Sequence, residues 1–435
     1  MQYQPREDVQ AEARIDLDVE QILDLLQTDD DDADFDAAMA IYSDGGGNGA
    51  AATLKSLATP GSSTMADDTW WPIYRAYWNS DNYADDFVTN TATLPEAMRK
   101  ELIKKGSVYQ GVWMHAVHNF DKGKRECDVV LWDKGMAYYV GSLEGEYETS
   151  DDIASDGNLL YSLAQKRCEN FGTCATSTNK ATFAAVNSEI QGADGFAVQG
   201  KNLLYNRVGC GDAGLDVAFK GIVSQMTVPL VQGLLRYAWK ADPEMEDSCD
   251  GQENTDADAV AANDAIANTD CAKSWAEGWA FAAAVLPQID RCDSAAAATV
   301  RANLDVAASE PMKDGVAAVK AAVESVYCCL GITCEDVGTL MHSYGTPYLG
   351  MHACTTVCPA GGGGGGGGDG GLGTGALVGV IIVVLVAGVG VLGLVFWLYR
   401  ADKLRCCVRG DVEASTGELE VGTIRNPAVA EKDML

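Results

Sequence analysis

Histidine, tyrosine and acidic side chains between residues 115 and 156 could bind a metal ion. His115 and His118 are three positions apart, which places them on the same side of a helix. The stretch "WDKGMAYYVGSLEG" then carries two tyrosines and a glutamate before an acidic turn. Carboxylate and phenolate oxygens suit a hard cation, and Fe³⁺ can drive a tyrosine to ionise at neutral pH. The candidate ligands are Tyr139, Glu144, His115, His118 and Glu146.

Two basic residues could hold an anion beside such a metal. Arg236 and Lys134 are the candidates. A purely structural interpretation of all these residues stays open. Tyrosines on helices usually pack in cores, and acidic loops are usually solvated.

An internal repeat separates the polar residues from the scaffold around them. "VYQGVWMHAVHNFD", "WDKGMAYYVG" and "ATFAAVNSEI" recur in order as "PLVQGLLRYAWKAD", "WAEGWAFAAA" and "ATVRANLDV". The matched positions are Gln110-Gly111 with Gln232-Gly233, Trp132 with Trp275, and Asn187 with Asn303. The first copy has polar residues where the second differs: His115 for Tyr237, His118 for Lys240, Tyr139 for Ala282 and Glu144 for Pro287. The repeat predicts a duplicated fold in which the first copy carries the candidate metal ligands.

Helix-forming segments dominate the chain, so we expect a mainly α fold: a duplicated helical-bundle ectodomain with disulfides, followed by a single transmembrane helix. "DLDVEQILDLLQ" has apolar residues at helical spacing, and "DFDAAMAIYSDGGGNG" ends in a glycine stop. Thr93–Glu96 fits a capping box, with Gly106 as the end of that helix. The expected regions are 1–92 N-terminal helical, 93–205 first repeat, 206–359 second repeat with an acidic insertion and a Cys-rich end, 360–375 glycine linker, 376–399 membrane helix and 400–435 cytoplasmic tail.

Residues 376–399 are uncharged and mostly apolar. As a helix they span about 36 Å, enough to cross a bilayer core of about 30 Å. Basic residues follow immediately, which predicts a type I protein with its N-terminus outside the cell. The first ten residues contain no signal peptide, so we expect one to be missing from this sequence. Cys406 and Cys407, just inside the membrane, are candidates for lipidation or are idle thiols.

Charge and cysteine usage agree with an extracellular location. The chain has 63 acidic and 31 basic residues, a net charge of −32, which disfavours nucleic-acid partners. Twelve of 14 cysteines precede the apolar segment, as expected for disulfides in an oxidising compartment. The close spacings predict local pairs Cys168–Cys174, Cys328/Cys329–Cys334 and Cys354–Cys358. No nucleophile motif accompanies the four histidines, so we do not expect an enzyme.

Five blocks between Leu94 and Met341 resemble the algal iron-assimilation family, which comprises low-iron-inducible periplasmic proteins and membrane-anchored phytotransferrins. The blocks are "WDKGMAYYVGSLEG", "DGNLLYSLAQKRCENFGTC", "TVPLVQGLLRYAWKAD", "AEGWAFAAAVLPQID" and "VYCCLGITCEDVG". The resemblance implies a plasma-membrane protein that captures Fe³⁺. In the phytotransferrin branch it also implies carbonate as a synergistic anion and uptake by endocytosis into vesicles. It does not identify the iron ligands.

The expected function is therefore ferric-iron capture at the cell surface. A single membrane helix cannot conduct iron, so endocytic machinery or a ferric reductase or transporter must complete uptake. Two alternatives stay open. One is an adhesion or structural surface protein that binds no metal, and the other is a divalent-metal protein related to imelysins. The His-x-x-Glu arrangement of imelysins is not reproduced, because His118 stands three residues after His115.

Overall fold

A computed structural model describes residues 3–26, 34–61, 63–144, 157–176, 182–205, 211–245 and 270–358. These residues all belong to one compact unit, Met1–Asp369. Most of them are helical, which confirms the mainly α class. The first helices are α1 (Gln10–Ala13), α2 (Ile15–Leu26), α3 (Phe35–Asp44), α4 (Leu54–Ala58), α5 (Trp71–Trp78), α6 (Tyr83–Thr89) and α7 (Glu96–Gly106).

A π-helix, Ser107–Val112, follows α7 directly and leads into longer helices. The remaining elements are α8 (Trp113–Glu126), α9 (Val129–Val140), α10 (Leu160–Phe171), β1 (Cys174–Thr176), β2 (Thr182–Ala184), α11 (Ala185–Gln191), α12 (Phe196–Tyr205), α13 (Ala213–Ala241), α14 (Asp270–Cys292), α15 (Ser294–Leu304), α16 (Gly315–Glu324), α17 (Tyr327–Leu330) and α18 (Cys334–Val337). The two strands form an antiparallel pair in which Ala175 lies opposite Phe183.

The predicted helices near the N-terminus are confirmed. The apolar residues of α2 recur at helical spacing, and Ile15, Ile22 and Leu26 are buried. Helix α3 starts at its N-cap Asp34, whose carboxylate accepts from the amide of Ala37 at 2.8 Å. It ends at Gly45, which has a φ of +84°. These ends follow from local chemistry and so are readable from the sequence.

Helix α7 has the predicted bounds, Glu96–Gly106, but the predicted end signals are wrong. The N-cap residue is Pro95 and makes no side-chain cap, so the capping box at Thr93–Glu96 does not form. Gly106 does not end the helix, because its φ of −61° is right-handed and the chain continues as the π-helix. A Cβ at Gly106 would lie 2.6 Å from Phe87 Cδ1. The glycine is therefore needed for close packing and not for a turn.

Two helix pairs run through the core. Helix α8 packs against α9, and α13 packs against α14, which also contacts α7 and α15. The indole of Trp132 on α9 donates to the carbonyl of Ala197 at 3.0 Å. The indole of Trp275 on α14 donates to the carbonyl of Leu304 at 2.9 Å. Each tryptophan thus joins its pair to a helix later in the chain.

All ten cysteines of the described ranges are in disulfides. The predicted local pair Cys168–Cys174 is confirmed. The other two predicted pairings are wrong, since the bonds are Cys292–Cys329, Cys328–Cys358 and Cys334–Cys354. Spacing in the sequence predicted the wrong pairs, because these cysteines lie at helix ends and on the last described segment. That segment folds back over α17 and α18.

Several expected features lie outside the described residues. They are Glu146, the glycine linker, the apolar segment 376–399, and the tail with Cys406 and Cys407. Among the helices that are described, none combines the length and apolar character needed to cross a bilayer. The membrane helix and the subdivision of residues 1–359 stay predictions.

Candidate functional site

Tyr139 lies in the core and is fully buried on α9. Its hydroxyl donates to Oδ1 of Asn187, whose amide in turn donates to the carbonyl of Tyr161 and to Gln165 Oε1, both at 3.1 Å. Burial raises the pKa of Tyr139 well above its ordinary value, and Tyr161 and Glu144 add to the shift. The phenol is thus a neutral hydrogen-bond donor within a satisfied polar network.

Glu144 lies close enough to Tyr139 to influence its pKa, but its carboxylate is held by the backbone. Its Oε1 accepts from the amide of Gly157 at 3.1 Å. The preceding turn is fixed by Asp16, which accepts from the amides of Ser142 and Leu143 at 2.7 and 2.9 Å. The structure therefore brings Tyr139 and Glu144 near each other, with both already bonded within the protein.

His115 and His118 lie together on α8, as their spacing predicts, with ring centroids 5.6 Å apart. His115 meets the edge of Tyr138, not of Tyr139, at 5.2 Å. Tyr138 and Tyr139 point to different sides of α9, so the histidines do not join the Tyr139 network. Burial lowers the pKa of His115 to about 3, and nearby His118 and Lys134 add to the shift.

The two candidate anion-binding residues contact different partners. Lys134 Nζ lies 2.7 Å from Glu12 Oε1, beside the histidine pair. Arg236 donates from Nη1 to the hydroxyl of Tyr237 at 3.3 Å, on α13. Arg236, not Lys134, thus belongs to the group of buried charges described next.

That group, which we call the cation–tyrosine cluster, lies among α7, the π-helix, α10, α13 and α14. At one edge Lys105 Nζ donates to Glu101 Oε2 and to Glu277 Oε1, both at 2.6 Å. Lys104 Nζ lies 2.9 Å from the other oxygen of Glu101. The complete cluster is Glu101, Lys104, Lys105, Tyr109, Arg167, Arg236, Tyr237 and Glu277, and all but Arg236 are buried.

Tyr237 is at the centre of the cluster. Lys105 Nζ, Arg167 Cζ and Arg236 Cζ lie 5.9, 5.9 and 5.3 Å from its ring centroid. The ring stacks on Phe281 at 5.8 Å, and Tyr109 from the π-helix stacks on Phe281 at 5.0 Å. Two tyrosines and three cations are therefore held close together within the core.

Arg167 lacks hydrogen-bond partners for two of its guanidinium nitrogens. It is 4% exposed, and neither Nε nor Nη1 has a hydrogen-bond partner within the described ranges. Gln110, in the π-helix, is equally buried and has no partner for either end of its amide. Each such unpaired group costs about 1–3 kcal/mol, and more when it is charged. An orphaned buried guanidinium beside other cations is the arrangement expected of an anion site.

The electrostatics of the cluster are unbalanced. It contains four basic side chains but only two carboxylates. Burial opposes the charge on Lys105, but Glu101 and Glu277 outweigh it and raise the pKa of that amine. Burial lowers the pKa of Arg167. Burial also raises the pKa of Tyr109 to about 12, although Lys105 and Arg167 act in the opposite direction. An added anion would balance the excess positive charge.

Sequence reasoning found only Arg236 of this cluster. The others were missed because Glu101, Lys104 and Lys105 look like an ordinary charged helix, and Arg167 has no local motif. One signal was present in the repeat. In the second copy, Glu277 stands at the position of Lys134, and Tyr237 stands at the position of His115. The π-helix was a second clue available only in the structure, since such segments are frequent at functional sites.

No three histidine, cysteine, aspartate or glutamate side chains of the described ranges are grouped to hold a metal ion. That finding does not cover sites in which a tyrosine is one of the metal ligands. In comparisons with known proteins, no family model, curated protein or solved structure matches the chain. The function must therefore be argued from the residues and their geometry.

Proposed function

We propose that the protein captures Fe³⁺ at the cell surface together with a synergistic anion, carbonate, and delivers it for uptake. The observation that carries the proposal is the buried guanidinium of Arg167 in the cation–tyrosine cluster, whose Nε and Nη1 have no hydrogen-bond partner within the described ranges. The sequence resemblance to the iron-assimilation family independently favours a ferric protein. The fully oxidised cysteines of the described ranges are compatible with an extracellular location.

The cluster offers the residues that such an anion needs. Arg167 supplies N–H groups without partners, and Arg236 also lies against the Tyr237 ring. A planar guanidinium matches the paired oxygens of a carbonate or carboxylate, which a lysine does not. Arg236 is the only partly exposed member of the cluster, so we place the entrance beside it.

The same cluster offers hard oxygen donors for Fe³⁺. Tyr109 and Tyr237 provide phenols, and Glu277 provides a carboxylate. Phenols with raised pKa values stay protonated without metal, so binding of Fe³⁺ would displace their protons. The bound anion would offset the nearby cations, which otherwise repel a trivalent metal. We therefore move the proposed iron ligands from Tyr139 and Glu144 to Tyr109, Tyr237 and Glu277.

Ferric titration of the purified protein tests this assignment. We expect saturable binding that needs bicarbonate and produces a visible tyrosinate-to-iron absorption band. Arg167→Met keeps the side-chain length and removes the unpartnered nitrogens. It should weaken bicarbonate-dependent binding by about 10–100-fold, the equivalent of about 1.5–3 kcal/mol for a charge-assisted hydrogen bond.

Three tyrosine variants distinguish the two candidate ligand sets. Tyr109→Phe and Tyr237→Phe should each reduce the absorption band and the affinity. Tyr139→Phe, the matched control from α9, should leave both unchanged. Loss of the band in Tyr139→Phe alone would return the site to the Tyr139 and Glu144 region. Absence of saturable ferric binding in a folded protein would favour the adhesion alternative.

Location and duplication are part of the same proposal. A plasma-membrane protein of type I topology, anchored by residues 376–399, would present the cluster outside the cell. Its single helix would require endocytosis or a reductase and transporter for iron entry. We also propose that the α8–α9 and α13–α14 pairs are duplicated units. The corresponding hydrogen bonds of Trp132 and Trp275 support this.

A further inference from the structure

The two histidines of α8 have free ring nitrogens that the proposed ferric site does not use. Neither ring nitrogen of His115 has a hydrogen-bond partner within the described ranges, and its Nδ1 is buried. His118 uses only its Nδ1, which contacts Asp68 Oδ2 at 2.6 Å. Its Nε2 makes no hydrogen bond in the same part of the chain. A buried imidazole nitrogen without a partner carries a desolvation cost that a ligand would remove.

The contacts of His118 are those of a metal-binding histidine. Asp68 accepts from His118 and is itself held by Arg125, whose Nη2 lies 2.5 Å from Asp68 Oδ1. Metal-binding histidines usually donate their second nitrogen to such a carboxylate, which fixes the ring and directs the free nitrogen toward the metal. The arrangement leaves Nε2 of His118 as the coordinating atom.

The separation of the two rings fits one shared ion. With metal–nitrogen bonds of about 2.0–2.1 Å, each ring centroid lies about 3.2 Å from the metal. Two such rings at bond angles of about 90–180° are roughly 4.5–6.4 Å apart. The observed centroid distance of 5.6 Å lies within this range. The partly exposed His115 gives access from solvent.

We infer that His115 and His118 form a second metal site, for a borderline divalent ion such as Cu²⁺, Ni²⁺ or Zn²⁺. Imidazole nitrogens favour these ions, whereas Fe³⁺ favours oxygen donors. Water completes the coordination, because no group of three or more His, Cys, Asp or Glu side chains able to hold a metal is found among the described residues. Lys134 is the nearby cation, and its pairing with Glu12 reduces its repulsion of the ion. The site is separate from the cation–tyrosine cluster and does not depend on the proposed ferric function.

Titration of the full chain with Cu²⁺ tests the inference. We expect one equivalent to bind with an electron paramagnetic resonance spectrum showing coupling to two nitrogen nuclei. His115→Gln and His118→Gln should each abolish that two-nitrogen signal. Asp68→Asn, which keeps the shape of the orienting side chain, should weaken Cu²⁺ binding by about 10–100-fold. His352→Gln, at an exposed position, is the matched control and should have no effect.

Two outcomes would overturn the site. One is an unchanged Cu²⁺ spectrum in His115→Gln, a half-buried position where the substitution breaks no hydrogen bond and folding is retained. The other is a native spectrum with oxygen donors only. Bicarbonate-dependent Fe³⁺ binding should persist in His115→Gln, so failure of either metal site can be recognised separately.

Discussion

The α8–α9 and α13–α14 helix pairs carry different side chains at aligned positions, and at one of these positions the charge is reversed. His115 meets the Tyr138 ring in the first pair, and Tyr237 meets Phe281 at the aligned positions of the second. Lys134 on α9 pairs with Glu12 at 2.7 Å, whereas Glu277 on α14 pairs with Lys105 at 2.6 Å. A similar helix packing thus supports an imidazole group in one region and a cation–tyrosine group in the other.

Burial of the aligned charges, Lys134 and Glu277, is the main physical difference between the two regions. Lys105 and Glu277 are almost inaccessible to solvent, while the Lys134 side chain is 36% exposed. A charge in the second region must be paired or bind a ligand, because water cannot solvate it. The Lys134 charge in the first region can be solvated. The repeat pattern alone suggested the reverse, since the first copy has more polar residues in its sequence.

The largest expected effect comes from breaking the buried charge network. Lys105→Met leaves Glu277 buried without its partner, and should lower the free energy of unfolding by about 3–5 kcal/mol. Lys134→Met, the aligned control, should lower it by less, because the Lys134 side chain is 36% exposed although its partner Glu12 is buried. Urea unfolding of both variants measures the difference. Equal effects would show that the two regions do not differ in burial as described.

An intermediate effect is expected from acid. The pKa of His115 is lowered to about 3, whereas an unfolded histidine titrates near 6.5. Between these values the unfolded chain binds the proton more readily, so stability falls as the pH falls. At about pH 4, His115→Gln should recover up to roughly 2–3 kcal/mol of the free energy of unfolding that the native protein loses to acid, with the partial exposure of His115 taken into account.

Tyr237, at the aligned position of the second pair, provides the comparison. Burial raises its pKa, so it stays neutral throughout this acidic range. Tyr237→Phe should leave the acid dependence unchanged. Urea midpoints across the pH series measure both variants, and an identical pH slope in His115→Gln and the native protein would contradict the assignment.

The smallest effect should be shared by both pairs. Trp132→Phe and Trp275→Phe each remove one buried indole hydrogen bond to a carbonyl and a little packing volume. Each should cost about 1–2 kcal/mol in unfolding free energy, with similar values for the two. Thermal or urea unfolding measures them. Widely different costs would argue against equivalent structural roles and against the proposed duplication.

Part of this structure is predictable from local patterns. Helices α2 and α3, the Asp34 cap and the Gly45 stop follow from residue spacing and end signals. The common side of His115 and His118 follows from helical geometry. Gly106 was misread because a glycine that ends a helix and one that permits close packing look alike in sequence. The disulfides beyond Cys168–Cys174 were misread because pairing depends on which segments meet.

By itself, the sequence determined the helical class, the acidic surface, the apolar segment and the pairs of residues that helical spacing brings together. These properties depend on composition and on neighbours within a few turns. Only the tertiary structure decided which charges are buried. Glu101, Arg167 and Glu277 are far apart in the chain, and their packing around Tyr237 makes an ordinary set of charged residues a candidate binding site. The same packing gives the Tyr139 hydroxyl a hydrogen-bond partner, Asn187, and leaves Nε and Nη1 of Arg167 without one among the described residues.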